Sequence, residues 1–114
     1  MAPCVVFVDV DDTLVRSFGR KRIPMSPVVE RIRDLHRRGF TLYLWSSGGA
    51  AYARQSAAEL GIEACFVAFL PKPHVYVDDQ PVHAWRFCSH VLPGNIDGVS
   101  SPSVVDIAGD ADGK

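Results

Sequence analysis

The apolar positions change period several times along the chain, and each change marks an element. Val5-Val6-Phe7-Val8 is a continuous apolar run, mostly β-branched, and predicts a buried strand over about residues 4–8. Carboxylates follow abruptly at Asp9, Asp11 and Asp12. Residues 15–24 lose the pattern, carry Gly19 and the basic cluster Arg20-Lys21-Arg22, and read as an irregular flap. Ser26-Pro27 reads as a helix N-cap and first helical position. Val28, Ile32 and Leu35 then fall on one helical face, and Gly39 ends the helix. Residues 40–45 form a second predicted strand, closing in Ser46-Ser47-Gly48-Gly49. An Ala-rich helix over about residues 50–60 stops at Gly61, and a short third strand lies within residues 63–69. Pro71-Lys72-Pro73 is a rigid connector to a fourth strand over residues 74–77. A short helix carrying Trp85 is expected after Pro81. Beyond Pro93 the chain turns to Gly, Ser, Asp and Pro. Residues 1–98 therefore read as one domain, and residues 99–114 as a flexible tail.

Strands alternating with helices predict an α/β fold, a three-layer sandwich around a mainly parallel, Rossmann-like sheet. Right-handed crossovers would gather the loops after the first, second and fourth strands at one edge. The chain's 114 residues suit a single core. A formal net charge of -1 gives no global attraction to nucleic acid or to an anionic membrane. No apolar run is long enough to span a bilayer, and the N-terminus lacks the basic region of a signal peptide. Cys4, Cys65 and Cys88 form no Cys-x-x-Cys pair and read as reduced core residues of a cytoplasmic protein.

The carboxylates change the picture. A buried strand does not carry adjacent Asp residues into its end unless something positive neutralises them. No basic residue follows on that segment until Arg16, so a divalent cation with oxygen ligands is the natural partner. Val75-Tyr76-Val77-Asp78-Asp79 repeats the pattern of an apolar strand ending in carboxylates. Two such ends side by side would converge on one point, at the sheet edge where α/β proteins bind ligands.

Asp9-Val10-Asp11-Asp12-Thr13 resembles the first motif of the haloacid dehalogenase (HAD) superfamily, Asp-x-Asp-x-Thr after a hydrophobic strand. Ser46 looks like the second motif, Lys72 the third, and Asp78-Asp79 the fourth in its paired form. The resemblance spans residues 5–79 in the family's order. It implies a HAD-like fold and a Mg²⁺-dependent phosphatase that passes through an aspartyl-phosphate. Carried over position by position, Asp9 is the nucleophile, and Asp11 protonates the leaving group and then activates water. Ser46 and Lys72 hold the phosphoryl oxygens, and Thr13, Ser47 and Gly48 lie beside the substrate. Asp9, the backbone carbonyl of Asp11, and Asp78 would ligate Mg²⁺ in the metal site, with Asp79 beside or behind them. Asp12 stands where the first motif commonly has glycine, and Lys72 lies unusually close to Asp78. The short spacing between Leu14 and Thr41 leaves no room for a large cap domain, so the resemblance is to a capless member.

The chemistry of these residue types agrees with such roles. A carboxylate accepts a phosphoryl group only when anion–anion repulsion is screened, which Mg²⁺ provides with few protein ligands. Lysine supplies a fixed positive charge for the transferring group. A capless site is open, which implies an extended or macromolecular phosphorylated substrate, with Arg20, Lys21 and Arg22 contacting it, or closure by a second subunit in a homo-oligomer. Two other readings fit a chain of this class: a HAD-like binding or scaffold module without turnover, and a receiver-like phospho-signalling domain. The second would need its acceptor Asp at the end of a middle strand, where this chain has Ser46. His36, His74, His83 and His90 have no zinc-ligand spacing, and neither a phosphate loop nor a dinucleotide glycine fingerprint occurs.

Overall fold

The computed structural model describes residues 4–99. The expected tail, residues 99–114, lies outside them except for Val99. The elements in order are β1 (Val5–Asp9), β2 (Val15–Phe18), β3 (Lys21–Pro24), α1 (Ser26–Arg37), β4 (Thr41–Ser46), α2 (Ala50–Glu59) and β5 (Ala68–Pro71). Short 3₁₀ turns cover Glu63–Cys65, Val82–Ala84 and Pro93–Gly98. The fold is mixed α/β with a three-stranded parallel sheet in the order β1-β4-β5.

Both crossovers step in the same direction across the sheet, so right-handed connections carry both helices over one face. Burial agrees. Val8, Leu42 and Leu44 on that face are buried with Ile32 and Leu35 of α1 and Ala53 and Ala57 of α2. Residues of opposite parity show the other face. Val5 is 55% and Phe7 44% exposed, and Phe7 stacks on Tyr43 at 5.0 Å and meets Trp45 edge-on at 4.9 Å. The expected three-layer sandwich is thus two-layered among the described residues, because no described helix crosses back to cover the aromatic face.

The helices follow their sequence signals closely. In α1, Val28, Val29, Ile32 and Leu35 are buried at the spacing of one helical stripe. Pro27 sits in its first turn, one place after the expected cap: Met25 is the flanking residue, with no side-chain cap, and Ser26 is already helical. Residues 15–24 are not irregular. They form an antiparallel hairpin, β2 with β3, closed by a two-residue turn in which Gly19 takes φ +62°. The third strand forms later than expected, at Ala68–Pro71, because residues 63–65 tighten into a 3₁₀ turn.

The fourth strand does not form, and the helix expected after Pro81 is a single 3₁₀ turn, Val82–Ala84, that ends at Trp85. Residues 74–81 have no regular structure, and Val75 and Val77 are 78% and 97% exposed. The physical reason is chain length. Pro71 ends β5 at the carboxyl edge of a parallel sheet, and Lys72-Pro73-His74 is too short to return to the opposite edge, where a further parallel strand must begin. Residues 72–92 instead form an exposed arm, which comes back at Pro93–Gly98 against α1. Arg31 holds that return by donating to the Val99 carbonyl at 2.8 Å. Trp85 packs at the edge of Tyr76 and donates from Nε1 to the Gln80 carbonyl, a local cluster within the arm. Of the cysteines, Cys4 and Cys65 are part-buried and their thiols are pushed up by burial, but Cys88 is exposed on the arm and is not a core residue. No helix among the described residues is long and apolar enough to cross a membrane.

Candidate active site

The carboxyl edge of the sheet brings together residues far apart in sequence. Asp9 is the last residue of β1, paired with Trp45 of β4, and Ser46 one step further pairs with Pro71 of β5. The next residue, Lys72, continues that pairing by donating its backbone N–H to the Ser46 carbonyl at 2.9 Å. Its ammonium lies 3.1 Å from Asp9 Oδ1 and 5.9 Å from the Trp45 ring centroid. Lys72 therefore reaches the site from the end of β5, not from the start of a fourth strand. The other oxygen, Asp9 Oδ2, accepts from the Thr13 hydroxyl at 3.3 Å. Both partners of the ion pair are about one-third exposed, so the contact orders the two side chains more than it stabilises the fold.

The chain after β1 turns at once. Thr13, Leu14 and Val15 direct their N–H groups to the Val10 carbonyl, and Asp12 donates to the Val15 carbonyl. Asp12 takes φ +63°, the left-handed region that glycine enters freely and Asp tolerates better than most residues. This turn aims Asp11 away from β1 toward α2, where its Oδ1 accepts from the Tyr52 hydroxyl at 2.7 Å. The Tyr52 phenol is held above its ordinary range, first by that hydrogen bond and then by partial burial, with Arg22 opposing. Gly48 is required by the same contact, since a Cβ there would sit 2.9 Å from the Tyr52 ring.

Ser46 is buried, 1% exposed, and its Oγ accepts from the Gly48 N–H at 2.9 Å, so it shapes the strand-to-helix turn. Ser47 and Gly48 lie in that turn, beside the Asp11–Tyr52 contact. The basic cluster divides. Arg20 and Lys21 are exposed at the hairpin tip, whereas Arg22 is tied down on α2. It bonds Glu59 at 2.8 Å and Ser56 Oγ at 2.9 Å, and its guanidinium lies 5.2 Å from the Tyr52 ring centroid. Arg22 thus anchors the hairpin beside the site.

The second acidic pair does not join the first. Asp78 caps its own turn, accepting from the Gln80 N–H at 2.9 Å, on the exposed arm. Among the described residues no three His, Cys, Asp or Glu side chains gather closely enough to hold a metal ion. What one chain brings to the strand edge is an oxygen donor set from Asp9 and Asp11. That set suits a hard cation such as Mg²⁺, which needs only one or two carboxylates when substrate oxygens and waters complete its shell.

Sequence reasoning missed two members of this group, Tyr52 and Trp45. Tyr52 is the one aromatic residue of an Ala-rich helix and sits in its first turn, a placement that could have marked it. The surface pocket between α2 and β5, bounded by the Arg54–Glu63 pair, contains none of the acidic strand-end residues.

A family model described as a protein of unknown function (DUF705) matches residues 1–92. The chain belongs to this family. The DUF705 match takes in β1 with its acidic turn, the hairpin, β5 with Lys72, and the whole arm to Leu92, so the arm is part of the DUF705 unit. No curated protein and no solved structure matches the chain.

Proposed function

We propose that this chain is a phosphomonoester hydrolase of the HAD type, and that its parallel sheet is the central part of a HAD-like, Rossmann-like fold. The observation that carries the reading is the meeting of Lys72 with Asp9 at 3.1 Å, at the carboxyl end of β1. A fixed cation there suits an anionic substrate that must approach a carboxylate. Asp9 is the phosphoryl acceptor. One of its oxygens forms the bond to phosphorus as the bond to the leaving oxygen breaks, and Asp11 gives that oxygen its proton. Asp11, now a carboxylate, takes a proton from water, whose oxygen attacks phosphorus and breaks the bond to Asp9, releasing phosphate. Thr13 fixes the orientation of Asp9, and Tyr52 fixes that of Asp11. The Asp9 carboxylate and the backbone carbonyl of Asp11 would hold Mg²⁺, which when bound screens the repulsion between the carboxylate and the phosphoryl oxygens.

One observation favours a second reading, a phosphate-binding module without turnover: Asp78 and Asp79 stand apart from the strand edge. The two readings separate on p-nitrophenyl phosphate. The hydrolase reading expects Mg²⁺-dependent release of nitrophenol, abolished by chelator and by Asp9→Asn, with circular dichroism unchanged. Equal rates in wild type and Asp9→Asn overturn it in favour of the module.

A further inference from the structure

We propose that two copies of this chain exchange their arms, so that Val75–Val77 of each adds as a parallel strand to the open edge of β1 in the other and carries Asp78-Asp79 to the partner's Asp9 and Asp11. The proposal rests on the hydrolase reading for what the completed site does, but not for the exchange itself.

The two halves of the argument lie on the same chain. β1 is the terminal strand of the sheet order β1-β4-β5, so among the described residues one side of its backbone is unpaired, and its own Val5 and Phe7 are exposed. Such an edge is a template for another strand. The arm carries a segment with strand composition, Val75-Tyr76-Val77, that forms no strand pairing among the described residues, and Val77 is 97% exposed.

Chain length decides which copy supplies the strand. If Asp78 stood level with Asp9, Val75 would lie beside Val6. The register places Pro71 beside Ser46, one step beyond Asp9. To reach that position from β5, the chain must cross three strand spacings, about 14 Å, and descend about 13 Å along the strands. The straight distance is therefore about 19 Å, whereas the four steps from Pro71 to Val75 span at most about 14 Å. The arm cannot complete its own sheet in this way. An arm from a second copy is free of that constraint, and the exchange is reciprocal and closes on itself.

The surfaces and charges agree. Tyr76, Trp85, Phe87, Val82, Val91 and Leu92 are all at least 40% exposed on the arm. Together with the aromatic face of the sheet, they are the apolar and aromatic surface that two reciprocal arms would cover. A net charge of -1 per chain opposes pairing only weakly. The exchange also gathers a third and fourth carboxylate at the edge where one chain brings two.

The test combines mass and complementation. Light scattering should give twice the 12.5 kDa of one chain. Val77→Asp, at a side chain that touches little within its own chain, should return the mass to a single chain with helicity intact. A monomeric wild type, or a dimer indifferent to Val77→Asp, overturns the exchange. For the site, Asp9→Asn and the double variant Asp78→Asn/Asp79→Asn should each be inactive alone. Refolded together, they should recover about a quarter of wild-type activity, since half the dimers are mixed and each holds one intact site. A mixture as inactive as its parts, beside an active wild type, overturns the shared site and leaves the hydrolase reading standing. An inactive wild type overturns the hydrolase reading, and the exchange is then decided by the mass of wild type against Val77→Asp.

Discussion

At residue scale, two positions carry local chemistry that can be measured apart from turnover. Asp12 holds φ +63°. Asp12→Gly should leave the urea midpoint unchanged or raise it. Asp12→Val should lower stability by about 1–2 kcal/mol, because a β-branched residue is forced into the left-handed region. The second position is Tyr52, whose phenol is raised mainly by donating to Asp11. A raised folded-state value means that the contact is fully formed below the ordinary tyrosine range, near pH 10, and is lost as pH rises through the higher folded value. An ultraviolet titration should show a tyrosine that ionises above the ordinary range, and Asp11→Ala should bring it back. No change on Asp11→Ala would remove Tyr52 as the group that orients Asp11. The pattern made Asp9 and Asp11 visible as candidates, because charged residues at the ends of apolar runs stand out, whereas Lys72 was marked only by its resemblance to the third HAD motif. Tyr52 was not visible, since an isolated aromatic residue on a helix has many ordinary explanations.

At the scale of elements, the hairpin β2–β3 and the helix α2 act together. Arg22 joins them through Glu59, Ser56 and the Tyr52 ring. Arg22→Ala should cost about 1 kcal/mol and speed amide exchange across residues 15–24, with α1 unaffected. Equal exchange in both proteins would show that the hairpin stands without that tether. Arg20 and Lys21 stay exposed at the tip. The two helices were legible from periodicity and from Pro27, Gly39 and Gly61, all of which act within a turn of chain. The hairpin was not, because β2 and β3 are four residues each and show no long alternation. Their pairing is set by the turn at Gly19 and by the contact of Arg22 with a helix more than thirty positions away.

At the scale of the whole molecule, the core is one cluster shared by one sheet face and both helices. Ile32 is fully buried at its centre, so Ile32→Ala should lower unfolding stability by about 2–5 kcal/mol in a single cooperative denaturant transition. A loss below about 1 kcal/mol would mean that the core collapses around the gap. The sequence by itself determined which segments are apolar, where both helices start and stop, and that carboxylates close β1, because these properties depend on neighbours along the chain. Tertiary structure alone decided that both helices lie over one face of the sheet, that Lys72 meets Asp9 from β5, and that Val75–Val77 stays outside the sheet of the described residues. Each of those outcomes depends on the order of strands and on the distance a short connector can span, and neither quantity is carried by the periodicity of the residues.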